Sequence, residues 1–345
     1  MNWLAGFSHR KKITLADTHV DSNLADVPTL LTFSDADLFG AGVDAMGEIR
    51  LAGSDGVTLL DFEVLDFSRS APNVSARLWV KVPSILAEGG ATGYLYYGNP
   101  HAPDARNAAA VWSGYRAVWH LNETSGHFAD ATGNGHDTTA ENVVDRGNTG
   151  KIYQCPEFDG TTGDYLSSPD SSDFAQNAGT VMAWVNQKER NTAADSYIFD
   201  HWIYPNGLLL AYDDRYPPNY FLQLRTSDGS TYSRAMDDGS HDLELDTWYL
   251  LSGTWDGDEL ALYRNDARIA TDDQTEPLGS PNTPARIGYK WEGRIEEVRV
   301  AKTALSAEEI KFLYHNMHET GGGWMFGDEE TAPNRFGVFQ SPVFG

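Results

Sequence analysis

The sequence is poor in the features that mark disulfide-rich or membrane proteins. It contains one cysteine, so no intrachain disulfide can form. Cys155 lies in the apolar-flanked segment IYQCPEF, where we expect it to pack as a small hydrophobic residue. No run approaches the ~20 apolar residues of a membrane span. The N-terminal MNWLAGFSHRKK lacks the apolar stretch of a secretory signal, which argues against ordinary secretion if Met1 is the native start; a mature fragment with an added Met1 is the alternative.

Basic residues are scarce as well. Lys and Arg number 25 against 50 Asp and Glu, which gives a formal net charge of −25 and a pI of about 4.6. Nucleic-acid binding is not expected, because neutralising phosphates needs clustered cations. Two explanations of the acidity stay open. One is a high-salt or marine environment, in which screening makes the self-repulsion tolerable; the other is a pair of sandwich domains with acidic, calcium-binding turns.

Short segments rich in β-branched and aromatic residues fill most of the chain. TVMAWVNQ, GLLLAYDD and WYLLSGTW are examples, separated by turn signals such as Pro205-Asn206-Gly207. This spacing is typical of antiparallel sandwiches. One helix is predicted near the C-terminus, with Ser306 as its N-cap and Glu309 closing a capping box. The predicted fold class is all-β, with two antiparallel β-sandwich domains and one short C-terminal helix.

The length of the chain agrees with more than one domain. A chain of 345 residues exceeds the roughly 250–300 at which a single core stops growing. The alanine-rich stretch HAPDARNAAA divides a domain at 1–106 from one at 107–320. Residues 321–345 form a glycine- and aromatic-rich tail that we expect to dock on its own chain or on a neighbour. Because RFGVFQSPVF alternates apolar with polar or small residues, we predict that this tail adds to a neighbour's sheet as an edge strand and serves assembly.

The second domain carries an ordered set of motifs. They are VWHLNE, the loop DATGNGHD, EFDG followed by DYL, the central AWV strand, and GRIEEVRV ahead of ALSAEEI. With these motifs, residues 107–319 resemble the concanavalin A-like or laminin-G-like jelly roll, the pentraxin-related superfamily of lectins and glucanases. The resemblance implies a jelly-roll sandwich.

The first domain carries a signature of its own in RKKITL, DGVTLL and YLYYGNP. Residues 3–103 resemble an uncharacterised β-sandwich domain that often precedes a jelly roll in microbial surface proteins. This resemblance implies no activity. Asp55 and Gly56 are therefore expected to be turn residues, and Tyr96 and Tyr97 core residues.

The loop DATGNGHD interleaves oxygen-bearing side chains with Gly133 and Gly135. Ca²⁺ takes roughly 6–8 oxygen ligands and tolerates irregular geometry, so such a loop suits it. The alternative is an Asp/Asn/Gly turn that caps its own backbone. The resemblance to the jelly roll implies a structural Ca²⁺ where this loop, the Phe-Asp-Gly turn and the I-E-E-V strand meet. The candidate ligands that it implies are Asp130, Asn134, the carbonyl of His136, Asp159 and Glu296.

Catalytic patterns are missing from the second domain. Retaining glucanases of the superfamily use two carboxylates about 5–5.5 Å apart, usually on one strand as E-x-D-x-x-E, and that string is absent. The carboxylate-rich DLELD and DGDE fall at hairpin ends and are typical of solvated turns. The ten histidines show no H-x-x-x-H or H-x-H spacing for zinc. We therefore predict that the protein is not an enzyme.

Binding of a sugar is the better-supported prediction. Jelly-roll lectins stack sugars on exposed aromatic rings and fix hydroxyl groups with a few polar side chains. The segment HWIYPNGLLLAYDDRYPPNY concentrates these residue types. The candidate ligand-binding residues are Trp202, Tyr204, Tyr212, Asp214, Arg215 and Tyr216. For Trp202 and Tyr212, inward packing within strands is the alternative.

Together these expectations predict a non-catalytic carbohydrate-binding or adhesion protein, stabilised by Ca²⁺. Its expected location is extracellular or on a virion surface, for instance that of a marine or halophilic virus. Its expected partners are a cell-surface glycan or polysaccharide, and copies of itself or virion neighbours bound through the tail. The alternative is a purely structural subunit of a virion or extracellular layer that binds no glycan. A glycoside hydrolase is a third and more distant possibility.

Overall fold

The computed structural model describes residues 2–141, 145–169, 171–191, 195–203, 206–213, 221–228, 232–274 and 278–333. The architecture is all-β, as predicted, with one C-terminal helix longer than a turn or two. In chain order the strands are β1 (His9–Leu15), β2 (Leu24–Asp35), β3 (Arg50–Ala52), β4 (Phe62–Ser70), β5 (Asn73–Ile85), β6 (Ala91–Tyr97), β7 (Tyr115–Trp119), β8 (Ala140–Glu141), β9 (Asp145–Thr149), β10 (Gln154–Asp159), β11 (Leu166–Ser168), β12 (Gly179–Gln187), β13 (Asp195–Ile203), β14 (Asn206–Asp213), β15 (Phe221–Asp228), β16 (Tyr232–Met236), β17 (Trp248–Trp255), β18 (Glu259–Arg264), β19 (Ala267–Asp273), β20 (Ala285–Ile287), β21 (Glu292–Ala301) and β22 (Trp324–Thr331).

The helices are short and lie between these strands. They are α1 (Ala36–Gly40), α2 (Ala108–Val111) and α3 (Ala307–His318), with single 3-10 turns at Met46–Glu48, Ser172–Phe174 and Thr320–Gly323. The predicted capping box begins α3: the Glu309 amide donates to Ser306 Oγ at 3.2 Å, and the Ser306 amide donates to Glu309 Oε2 at 3.1 Å. In the described part of the chain, no helix has the length and apolar character needed to cross a membrane.

Two sheets form the N-terminal sandwich. One has the strand order β22-β1-β6-β3 and the other the order β2-β5-β4. Ile13 and Leu95 of the first sheet and Leu31 and Val80 of the second lie in one buried cluster. Tyr96 and Tyr97 are fully buried, in agreement with the core role expected of them.

Two larger sheets form the jelly roll. One has the order β19-β18-β17-β12-β21-β10-β9, with β7 also paired to β21, and is called the eight-stranded sheet below. The other, called the seven-stranded sheet, has the order β16-β15-β14-β13-β20-β11-β8. Val181 and Leu251 of the first and Phe199 and Leu210 of the second share a second buried cluster between them. Cys155 of β10 is also fully buried, as expected.

The apolar core of the N-terminal sandwich does not end at the domain boundary. Trp112, Trp184 and Met317 from the jelly-roll half belong to the same buried cluster as Leu31 and Val80. The outward side of the eight-stranded sheet and helix α3 therefore pack against the first domain through side chains that have left water. Burial of this kind favours a fixed arrangement of the two domains.

A group of buried charges crosses this boundary, and we call it the junction cluster: Glu63, His120, Glu297 and Arg299, with the rings of Trp79 and Trp112. His120 Nδ1 lies 2.7 Å from Glu297 Oε1, and its Nε2 lies 3.1 Å from Glu63 Oε2. Arg299 Nη2 donates to Glu297 Oε2 at 2.7 Å. The Arg299 guanidinium lies 4.1 Å from the Trp79 ring centroid. Burial alone lowers the pKa of His120, but the two glutamates raise it to about 10, so this cluster holds charges of both signs in contact.

The first part of the predicted assembly tail lies on its own chain. Strand β22 pairs antiparallel with β1, with Trp324 opposite Leu15 and Glu330 opposite Arg10. Arg10 Nε donates to Glu330 Oε2 at 2.8 Å. Residues 321–333 therefore complete the N-terminal sandwich instead of forming a separate unit, because β1 offers an edge and Trp324 an apolar side chain to its core. The segment RFGVFQSPVF lies outside the described residues.

Candidate ligand-binding site

The predicted ligand-binding residues fall into three groups. Tyr204, Asp214, Arg215 and Tyr216 lie outside the described residues. Trp202 lies half-buried on β13. Tyr212 is a core residue and so offers no ring face to a ligand.

The position of Tyr212 follows from strand alternation. Side chains two residues apart on a strand share one face, and Leu208, Leu210 and Tyr212 of β14 all lie in the core between the sheets. The Tyr212 hydroxyl accepts the Leu243 amide at 3.0 Å and lies 3.1 Å from Arg190 Nη1. The inward alternative is thus the correct one for Tyr212.

The other face of the same sheet brings together residues that are far apart in sequence. In the core-facing register, Phe199 lies opposite both Leu210 and Ile287. One residue further on, Asp200 lies opposite Leu209 and Arg286. Because successive side chains alternate between faces, Asp200 and Arg286 share the outer face of the seven-stranded sheet, and Trp202 follows on that face.

Asp200 is a buried carboxylate with one oxygen unused. Arg286 Nε and Nη2 donate to its Oδ1 at 3.1 and 3.0 Å. The residue is fully buried, and its Oδ2 has no hydrogen-bond partner among the described residues. Burial raises the pKa of Asp200 to about 6, against the opposing effect of Arg286. An acceptor held out of water without a donor costs free energy until a donor arrives.

Three half-buried tyrosines surround this ion pair. The Arg286 guanidinium lies 3.9 Å from the ring centroid of Tyr289. The Tyr289 ring centroid lies 5.7 Å from that of Tyr165 and 5.8 Å from that of Tyr197. All three rings are partly exposed. We call Tyr165, Tyr197, Asp200, Arg286 and Tyr289 the tyrosine site.

Local backbone geometry sets the direction of Tyr289. Gly288 follows β20 directly and has φ +79°. A Cβ at this position would lie 2.3 Å from Phe158 Cε1. Glycine is therefore required at this turn. The Tyr197 amide donates to the Tyr289 carbonyl at 2.9 Å, which ties the turn to β13.

This arrangement has the chemistry of a polyol-binding surface. Tyrosine rings offer apolar faces with a polar edge, and a few placed polar groups beside an aromatic surface orient a small ligand. The sequence patterns did not predict the tyrosine site. The available signal was Asp200 itself, a carboxylate inside the otherwise apolar and aromatic YIFDHWI.

The five predicted calcium ligands each form hydrogen bonds with other groups of the protein. Asp130 is buried, and its carboxylate accepts amides from Val118 at 3.1 Å, Thr132 at 3.0 Å and His136 at 3.2 Å. The His136 carbonyl accepts the Trp119 indole at 2.7 Å. These bonds fasten the DATGNGHD loop to β7.

The other three candidates are also engaged elsewhere. Asn134 Nδ2 donates to the Arg116 carbonyl at 2.8 Å. The carboxylate of Glu296 is buried in β21 and accepts three main-chain amides, including that of Tyr153 at 2.7 Å. Asp159 Oδ1 accepts the Thr161 amide at 2.9 Å.

This bonding pattern leaves fewer lone pairs for a cation on the carboxylates of Asp130, Asp159 and Glu296 and on the His136 carbonyl. It matches the other reading of the loop, a turn that caps its own backbone. Calcium binding stays a prediction.

Family models match both halves of the chain. Residues 159–311 match the model described as the concanavalin A-like lectin/glucanases superfamily, and residues 45–144 match a domain of unknown function (DUF2341). The chain therefore carries a concanavalin A-like domain preceded by this uncharacterised domain, which confirms the resemblances predicted from the motifs. The whole tyrosine site lies within the first of these matches.

Solved structures resemble the chain more weakly. Domain 4 of an extracellular arabinanase from Geobacillus stearothermophilus, solved in complex with arabinotriose, is 18% identical with a TM-score of 0.46; the match covers 58% of this chain and 98% of that one. The botulinum neurotoxin serotype C1 binding domain is 10% identical with a TM-score of 0.47, covering 62% and 54%. A Trypanosoma rangeli sialidase is 17% identical with a TM-score of 0.41, covering 60% and 34%. At these values the likeness says nothing about what this chain binds. No curated protein matches it.

Proposed function

We propose that the second domain binds carbohydrate at the tyrosine site on the outer face of the seven-stranded sheet. The observation that carries this proposal is Asp200, whose buried Oδ2 has no partner among the described residues and lies within a group of partly exposed tyrosine rings. A sugar hydroxyl would donate to Oδ2 once the side chains that cover this buried atom move aside, and the C–H face of the sugar would stack on a tyrosine ring. The hydroxyl groups of such a ligand match the polar Asp200, and its apolar face matches the tyrosine rings.

The charges of the site favour a neutral glycan over an acidic one. Arg286 already neutralises Asp200 through two hydrogen bonds, so the pair has little positive charge left for a sugar carboxylate. The formal net charge of −25 also repels anionic polysaccharides at long range. The expected ligand is a neutral, hydroxyl-rich saccharide, either part of a cell-surface glycan or part of a polysaccharide.

The same residues favour binding over hydrolysis. A retaining glycosidase needs a second carboxyl group about 5–5.5 Å from the first, and an inverting one about 6.5–9.5 Å. The pKa of Asp200 is raised by burial and lowered by Arg286, so the charged partner that acts on this carboxyl group is a base. An ion-paired carboxylate is suited to accept a hydroxyl hydrogen bond.

The test is a glycan array on the full chain, followed by calorimetric titration of the best neutral saccharide. We expect Asp200→Asn to weaken binding about 10- to 100-fold, since a hydrogen bond to a charged group contributes about 1.5–3 kcal/mol. Tyr289→Ala should weaken it by a similar factor.

The matched control is Tyr153→Ala. Tyr153 is also half-buried and lies 5.0 Å from the Arg77 guanidinium, but it lies outside the tyrosine site. Its variant should bind as the parent chain does. Absence of any saccharide ligand, or binding that survives both site substitutions, would refute the proposal and favour the structural-subunit alternative.

A further inference from the structure

A second polar cluster lies where the two domains meet, away from the tyrosine site. His19 lies between β1 and β2 of the N-terminal sandwich, whereas His315 and Glu319 lie at the end of α3. His19 Nε2 lies 2.7 Å from Glu319 Oε1, and His315 Nδ1 lies 3.7 Å from the same oxygen. One ligand atom from each of the three residues lies within 4.8 Å of the other two.

The separation between His315 and Glu319 is close to that between two ligands of a zinc ion. Zn–N and Zn–O bonds of about 2.0–2.2 Å in a tetrahedron place neighbouring ligand atoms roughly 3.4 Å apart. The 3.7 Å between His315 Nδ1 and Glu319 Oε1 is close to that value, whereas the 2.7 Å between His19 Nε2 and Glu319 Oε1 is a hydrogen-bond distance that has to lengthen when an ion binds. Two imidazoles and one carboxylate form a common donor set for zinc with one position left to water.

A carboxylate beyond the three ligands orients one of them. His315 Nε2 lies 3.2 Å from Asp266 Oδ2, in the turn between β18 and β19. That contact favours the tautomer with its proton on Nε2, so the Nδ1 lone pair is free on the side of Glu319. Metal-binding histidines commonly have such a carboxylate partner.

The ring positions show what has to move on metal binding. The His19 and His315 rings are stacked, with centroids 3.5 Å apart and planes 5° apart. In two parallel rings the nitrogen lone pairs point in parallel planes and do not converge on one point. One ring therefore has to tilt before both nitrogens can bind a single ion. His19 is the one to move, because it lies between strands while His315 is anchored by α3 and Asp266.

We propose that His19, His315 and Glu319 bind a divalent transition-metal ion of the zinc type, with Asp266 as a positioning residue. The His19, His315 and Glu319 side chains are 32%, 19% and 39% exposed, which leaves the ion an entry path and a water position. The ion would link the β1–β2 connection to α3. An ion pair between Lys311 Nζ and Asp21 Oδ2, 2.6 Å long, already holds these two segments together.

The test is titration of the chelator-treated full chain with zinc chloride, followed by calorimetry and by thermal unfolding. The parent chain should bind one equivalent, and its Tm should rise by several degrees at about a hundredfold excess over Kd. His315→Ala and Glu319→Gln should each lose both the binding and the Tm rise. Asp266→Asn should bind about 10- to 100-fold more weakly.

His101→Ala is the matched control, because His101 is an exposed histidine away from the cluster. It should keep the full metal response. The quantity compared is the zinc-induced change, so a variant that is less stable in chelator remains informative. The proposal is wrong if the parent chain takes up no zinc, or if His315→Ala and Glu319→Gln respond to zinc as the parent does.

Discussion

The junction cluster and the tyrosine site each hold a buried carboxylate, and the two carboxylates differ in how far they are hydrogen-bonded, although Arg299 Nη1 and Trp79 Nε1 of the junction cluster also lack a partner among the described residues. In the first, Glu297 accepts from both His120 and Arg299, and the charges of both signs meet. In the second, Asp200 is hydrogen-bonded to Arg286, and its other oxygen has no partner within the part of the chain that the structure describes. Removing a buried carboxylate whose partners are all internal leaves those partners as uncompensated buried charges. One that lacks a partner would gain a hydrogen bond if a ligand donor reached it.

The pKa values of the two carboxylates reflect the same difference. Burial tends to raise the pKa of Glu297, but His120 and Arg299 lower it below its ordinary value. The pKa of Asp200 is raised to about 6, because a single arginine does not offset its burial. Ionisation of Glu297 therefore stabilises the fold, and ionisation of Asp200 weakens it.

The largest effect is expected from the strand that completes the N-terminal sandwich. Truncation after Thr320 removes β22, uncovers the edge of β1 and takes Trp324 out of the shared core. Trp324→Ala alone should lower the free energy of unfolding by about 3–5 kcal/mol. Urea unfolding measures this. Met325→Ala, at a side chain 58% exposed, is the control and should change little. Equal stability of the two variants would contradict the assignment.

The difference between the two buried carboxylates is tested by one substitution in each cluster. Glu297→Gln leaves His120 and Arg299 buried without their common counter-charge, so we expect a loss of about 3–5 kcal/mol. Asp200→Asn should leave stability at pH 7 unchanged or improved. A group with a raised folded pKa contributes stability below its unfolded pKa, near 3.8, and loses it as pH rises through about 6. Urea unfolding of both variants at pH 7 decides this, and a larger loss in Asp200→Asn would reverse the comparison.

The smallest effect concerns saccharide affinity as a function of pH. A hydroxyl donor favours the ionised form of Asp200, so affinity should be about half of its maximum near pH 6 and fall further as Asp200 takes up a proton. Between pH 7 and pH 5 we expect a loss of about tenfold. Calorimetric titration at both values measures it. Asp200→Asn should show a flat profile, and the idea fails if the parent chain is equally flat.

Much of the fold could be read from local patterns. The Ser306–Glu309 capping box, the buried Cys155 and the motif order of the jelly roll depend on neighbouring residues, and the structure or the family models confirm them. The placement of the tail could not be read in this way. Arg10 and Glu330 are 320 residues apart, and apolar alternation alone does not identify which sheet edge a strand will join.

The tyrosine site shows why a binding site can be impossible to predict from local sequence patterns. Pairing of β13 with β14 shifts register between Tyr197 and Phe199. An irregularity of this kind changes which side chains point outward. It places Phe199 in the core and Asp200 on the outer face. Tyr165 and Tyr289 arrive from other strands, so no local spacing joins them.

Several expectations remain predictions: calcium, a virion setting, assembly through the end of the tail, and the roles of Tyr204, Asp214, Arg215 and Tyr216. By itself the sequence determined the all-β class, both domain families and the helix start, because strand alternation, turn residues and capping act over a few residues. Only the tertiary structure decided that β22 closes the first domain, that the junction charges are paired and that one oxygen of Asp200 finds no partner among the described residues. Those outcomes depend on strand register and on contacts between distant segments, which determine the face and the partner of each side chain.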